Sequence, residues 1–214
     1  SSPTPGDYLR LGIIEYDNNK KQQGWDHIAK ALITDTIVEL EDPGYRKAID
    51  TVIKDKFGTE QDPTAFVAEY RRQNTQMIPN LILITLENTK IKTRQYDGQV
   101  IFVNFFSPTC GSCRQEIPSL KNLYKRFSTR NDVVFIFILN HPNLKQEAIA
   151  MFKKSGIVKP VIATLEKGSV WDLIPAEPSI WITDKAGKIA FRHSGYKRGD
   201  ELIYQRKLLR LIQD

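Results

Sequence analysis

The chain of 214 residues carries 31 Lys and Arg against 25 Asp and Glu, a formal net charge of +6. Hydrophobic residues make up 41% and charged residues 26%, ordinary globular composition with room for one large domain or a domain and an appendage. No apolar run approaches the ~18 residues of a membrane helix, and basic residues are interspersed with acidic ones, which argues against a membrane span and a nucleic-acid partner.

The chain opens Ser1-Ser2-Pro3 without Met, a start that leaves room for a signal peptide or an N-terminal membrane anchor ahead of it. Asp7–Leu11 reads as the start of a short helix. Trp25, Ile28, Ala29, Leu32, Ile33, Ile37 and Leu40 recur at helical spacing, and Asp42-Pro43-Gly44 is expected to stop that helix. A third helix carries Tyr45, Ala48, Ile49, Val52, Ile53 and Phe57, with Gly58 as its cap. A fourth starts at Asp62-Pro63, an N-cap followed by proline at the first helical position.

The character changes at Ile78-Pro79-Asn80. Leu81–Leu86 is a strand candidate, Asn88-Thr89-Lys90 a turn, and Tyr96–Gln99 the lead into an apolar strand, Val100–Phe106. A helix near 113–127 follows, then a strand over Val133–Leu139 and a helix near 144–155 closed by Gly156. Both apolar runs read as parallel strands buried on two faces. After a long connection, Ile180–Thr183 and Lys188–Arg192 flank the turn Asp184–Gly187 as an antiparallel hairpin. A last helix spans roughly 201–212.

Between strand Val100–Phe106 and its helix lies Cys110-Gly111-Ser112-Cys113, which holds both cysteines of the chain. Two thiols at this spacing near a βαβ pattern point to dithiol–disulfide exchange. Cys110 is expected at a helix N-terminus, where free backbone N–H groups and the helix dipole favour negative charge. Zinc is disfavoured, because four ligands are wanted and His27, His141 and His193 are not at finger spacing. The site is therefore read as holding no metal and the chain as needing no cofactor. A peroxidase pattern is not met by Pro108-Thr109-Cys110.

The stretch from Ile78 onward resembles the thioredoxin-fold proteins of the TlpA/ResA type. The resemblance rests on Ile78-Pro79-Asn80-Leu81, on the run Val103-Asn104-Phe105-Phe106 leading to Cys110 and Cys113, on Glu116 and Pro118 after them, and on Pro178 before Ser179–Asp184. Thr109 departs from the usual Trp, Gly111-Ser112 from the usual dipeptide, and Ser179 from the usual Thr.

The resemblance implies an α/β thioredoxin-like fold, a central mixed sheet flanked by helices, over residues 77–214; the helical region at 1–76, read from its apolar spacing, lies outside the resemblance. It implies that Cys110 attacks, that Cys113 resolves, that Glu116 tunes the thiols, and that Pro178 is cis opposite them. Glu177 would then face the sulfurs. Thr109, Gly111, Ser112, Glu177 and Trp171 are candidates for the substrate groove. Pro118 is expected to kink its helix, Trp181 to pack in the core, and His141 to be a polar loop residue. The function implied is reduction of protein disulfides outside the cytoplasm, with electrons from an upstream thiol donor. The alternatives are a disulfide oxidant or isomerase, a partner-binding module, and copper delivery, the last weakened because its relatives use a longer Cys spacing. The N-terminal helices are expected to pack together or on the core, or to serve in partner recognition or dimerisation.

Overall fold

A computed structural model describes residues 5–34, 42–58 and 62–213. The chain divides into two compact units, Ser1–Gln76 and Met77–Asp214.

The first unit holds α1 (Pro5–Asp17), α2 (Lys21–Thr34), α3 (Pro43–Phe57) and α4 (Pro63–Asn74). Its own core includes Leu9, Tyr16, Trp25, Ile28, Leu32, Ile49, Ile53 and Val67. Helix α1 is longer than the sequence signal suggests. Its contact with α2 needs two glycines: a Cβ on Gly12 would lie 2.7 Å from the Gly24 carbonyl oxygen, and one on Gly24 would lie 2.6 Å from that of Gly12.

The triplet Asp42-Pro43-Gly44 does not act as expected. It opens α3, with the Asp42 carboxylate accepting the N–H groups of Gly44 (2.8 Å) and Tyr45 (3.2 Å). Proline at the first helical position gives up an N–H that has no helical partner anyway. Asp62 caps α4 in the same way. Gly58, at φ 62°, ends α3 in the left-handed conformation that glycine adopts without a Cβ penalty. Ile37 and Leu40 of the predicted stripe lie outside the described residues.

The second unit is built on one seven-stranded mixed sheet in the order β2-β1-β5-β4-β3-β6-β7. The strands are β1 (Ile82–Thr85), β2 (Lys90–Lys92), β3 (Val100–Phe106), β4 (Val133–Leu139), β5 (Val161–Leu165), β6 (Ser179–Thr183) and β7 (Ile189–Ser194). Strands β3, β4 and β5 run parallel; the remaining pairings are antiparallel. The helices are α5 (Gly111–Phe127), α6 (Lys145–Ser155) and α7 (Asp200–Gln213). Two of these strands escape a sequence reading. Strand β5 lies inside the stretch that reads as a connection, and β2 follows the Asn88–Thr89 turn.

Alternation along β3 decides which side chains meet the helices. Val100, Phe102 and Phe106 enter one core with Ile117, Leu120 and Phe127 of α5, Phe152 of α6, and Tyr204 and Leu208 of α7. Ile101, Val103 and Phe105 enter a second core with Trp181 and Val170. Asn104 shares its face with Phe102 and Phe106, beneath α5. Pro118 stands inside α5 without ending it.

Candidate active site

Strand β3 ends at Phe106, and the loop 107–109 turns the chain into α5. That loop is held from both sides. Ser107 Oγ accepts the Thr109 N–H at 3.3 Å and lies 2.8 Å from the Thr109 hydroxyl. The Arg114 guanidinium donates back to the carbonyls of Pro108 (3.2 Å) and Thr109 (3.3 Å).

Cys110 is the N-cap of α5, and its sulfur accepts the Cys113 N–H at 3.3 Å. A sulfur there meets an unpaired amide at the positive end of a helix dipole. Both cysteines are free thiols, Cys110 partly exposed and Cys113 buried. Burial pushes the Cys113 thiol far up; its hydrogen bond with Cys110 and the charge of Glu177 act in the same direction.

Ser112 joins this helix start to the loop before β6. Its Oγ lies 3.2 Å from Cys110 Sγ and donates to the Glu177 carbonyl at 3.5 Å. The Glu177–Pro178 peptide bond is cis, and Pro178 is buried. The Glu177 carboxylate accepts from the Asn140 amide, which follows β4. Burial raises the Glu177 carboxyl above its ordinary range, against the opposing pull of Asn140 and His141. One Glu177 oxygen and the two sulfurs all lie within 4.8 Å of one another.

Glu116 occupies a separate, wholly buried position on the sheet side of α5. Asn104 Nδ2 donates to Oε2 at 2.8 Å, and the Tyr204 hydroxyl donates to Oε1 at 3.3 Å. Burial outweighs both donors and pushes the carboxyl up to about 8. Burial likewise raises the Tyr204 phenol, aided by the charge of Glu116. Behind Tyr204, Asp200 lies 3.1 Å from the His193 ring and accepts the Lys197 N–H at 2.7 Å. Burial alone would raise the Asp200 carboxyl; these partners hold it below its ordinary range.

Cys110, Ser112, Cys113 and Glu177 thus form one cluster, with Thr109 and Gly111 exposed at its rim and Pro178 beneath. Trp171 is half exposed, on a short turn after β5, and makes no hydrogen bond to that cluster. Trp181 is buried against Phe105, ring centroids 4.9 Å apart. Sequence reasoning does not single out Asn140, Tyr204 or Asp200, and it weighs His193 only as a metal ligand. Asn104 carries a signal: a lone amide in an apolar strand needs a buried partner.

Paired thiols at the start of a helix that follows a sheet strand define a thioredoxin-fold thiol–disulfide oxidoreductase. The Redoxin family pattern matches residues 72–205, well over half of the chain, and the chain belongs to that family. Within it the chain is of the TlpA/ResA type. It is 24% identical over 140 residues to the thiol-disulfide oxidoreductase ResA of Bacillus thuringiensis subsp. konkukian, 64% of this chain and 79% of that protein. It is 26% identical over 124 residues to the thioredoxin-like protein YneN of Bacillus subtilis, 58% of this chain and 72% of that one.

Solved structures show the same fold. The thioredoxin domain of a thiol-disulfide oxidoreductase from Bacteroides vulgatus superposes with TM-score 0.53 at 20% identity, covering 64% of this chain and 96% of that chain. A thiol-disulfide isomerase from Corynebacterium glutamicum superposes with TM-score 0.54 at 16% identity, covering 66% and 99%. Among the described residues no helix is long and apolar enough to cross a membrane.

Proposed function

We propose that the Cys110–Cys113 dithiol reduces disulfides of protein substrates outside the cytoplasm. The observation that carries this reading is the inequality of the two thiols. Cys110 is partly exposed and receives an amide hydrogen at its sulfur, whereas Cys113 is buried and its thiolate is strongly disfavoured.

The Cys110 thiolate attacks one sulfur of a substrate disulfide. A mixed disulfide forms, the substrate S–S bond breaks, and the departing sulfur takes up a proton. Cys113 then gives its proton to the Glu177 carboxylate and attacks Cys110 Sγ, releasing the second substrate thiol. Two electrons pass from the dithiol to the substrate, and an upstream thiol donor restores Cys110 and Cys113. The Glu177 carbonyl lies against Ser112, itself in contact with Cys110, so an extended substrate segment can pair with the backbone there. Glu116, which the family resemblance makes a regulator of the thiols, acts from behind α5, held by Asn104 and Tyr204. The reducing direction and the compartment follow the TlpA/ResA resemblance.

Insulin reduction by the purified chain tests the reading. Turbidity from the freed B chain appears with the wild type and is absent with Cys110→Ser; equal rates for both would overturn it. Titration against a glutathione or dithiothreitol buffer tests the direction. A potential near about −270 mV fits a reductant, and one near about −120 mV an oxidant.

A further inference from the structure

We propose that the reduced site is also a binding site for a divalent, thiophilic cation of the zinc type, with Cys110 Sγ, Cys113 Sγ and one oxygen of Glu177 as its three protein ligands. A closed structural zinc site takes four protein ligands, and the histidines of this chain are not spaced to complete one. A site with three protein ligands and one open position is a different class, and its third ligand comes from a residue 64 positions away from Cys113 in the chain.

The donor atoms are already gathered. All three lie within 4.8 Å of one another. Around a tetrahedral zinc ion, with Zn–S near 2.3 Å and Zn–O near 2.1 Å, such donors stand roughly 3.5–3.8 Å apart. Closing the site therefore takes a movement of about 1 Å, within reach of side-chain torsions. The orientation of the carboxylate is set in advance: Asn140 donates to Glu177, the kind of outer hydrogen bond that steadies a metal-bound carboxylate. The partly exposed Cys110 gives the ion an entry path.

The donor set also indicates which ion. Two thiolates with a hard carboxylate oxygen suit zinc, whereas copper(I) is selected by soft sulfur ligands. On binding, the two thiols lose their protons to solvent as two S–metal bonds form, and no electrons move. The oxidised form has no thiolate to offer, so occupancy is confined to the reduced form. A bound ion engages both sulfurs at once and keeps Cys110 from attacking a disulfide. The site would thus be closed to exchange by zinc and reopened by its removal.

The proposal rests on the reduced dithiol and not on what it reduces, so the test is a binding measurement on the full chain. Zinc is titrated in competition with a chromophoric chelator against the reduced wild type, Glu177→Gln, Asn140→Ala and the disulfide form. The expected results are one ion per reduced chain, an affinity lowered about tenfold or more by Glu177→Gln and by about 10-fold in Asn140→Ala, and no binding to the disulfide form. Equal affinity of wild type and Glu177→Gln would overturn the three-ligand site. One ion shared by two chains would overturn it equally, since four thiolates would then suffice. Insulin reduction by the wild type is measured separately in metal-free buffer, so a reduced wild type that binds no zinc yet reduces insulin overturns this proposal and leaves the reductase reading intact.

Discussion

Replacing Glu116 by glutamine should change how stability depends on pH, and the size of the change follows from the structure. The Glu116 carboxyl is wholly buried, and its pKa is pushed from the ordinary 4.5 to about 8. Between those values the folded chain keeps a proton that the unfolded chain has released. The unfolded state then binds fewer protons, so stability falls as pH rises from about 4.5 to 8 and levels off above. At about 1.36 kcal/mol per pKa unit, the full loss is at most about 5 kcal/mol. A glutamine side chain has no such proton. Its amide can donate to Asn104 Oδ1, which is buried and unpartnered among the described residues. Urea unfolding of the reduced wild type and Glu116→Gln at pH 5, 7 and 9 gives the difference between the two proteins, in which other titrating groups largely cancel. The wild type should lose several kcal/mol relative to the variant between pH 5 and 9. A gap of the same size at both ends would refute the argument that Glu116 is buried in its protonated form.

Two further outcomes test the supports of the site and the packing of the first unit. Tyr204→Phe removes the donor to Glu116 Oε1, so it should cost about 1–3 kcal/mol at pH 9 and clearly less at pH 5, as measured by urea unfolding; an equal loss at both pH values would show that only packing was removed. Gly12→Ala drives a methyl group to within 2.7 Å of the Gly24 carbonyl oxygen and Ile28 Cγ1, and should cost about 1–3 kcal/mol in thermal unfolding followed by circular dichroism; an unchanged midpoint would refute the close helix contact.

What the sequence discloses and what it withholds divide along physical lines. The β3 run, the start of α5 and the β6–β7 hairpin are local patterns, each set by a few adjacent residues, and they are legible. Strand β5 is not, because Val161–Leu165 has five residues, follows Pro160 and shows no alternation. Asp42-Pro43 reads as a stop although Asp62-Pro63, the same signal, reads as a start. Proline opposes the interior of a helix and suits its first position, so position relative to the apolar stripe is what decides. The contacts that define the site are long-range: Glu116 with Tyr204 across 88 residues, and Glu177 with Asn140 across 37. No spacing rule connects such positions. The sequence sets Glu177 opposite the cysteines only through the neighbouring proline, and it holds no pointer to the Asn140 amide that orients the carboxylate.

The division of labour between the two sulfurs is tested most directly by trapping. Cys113→Ser and Cys110→Ser are each mixed in reduced form with a disulfide-bonded peptide, quenched with acid, and weighed as intact proteins. Cys113→Ser should accumulate a covalent peptide adduct on Cys110, because nothing resolves it, while Cys110→Ser should remain unmodified with its buried thiol. An adduct on Cys113 in Cys110→Ser, or none in Cys113→Ser, would contradict the assignment of Cys110 as the attacking thiol.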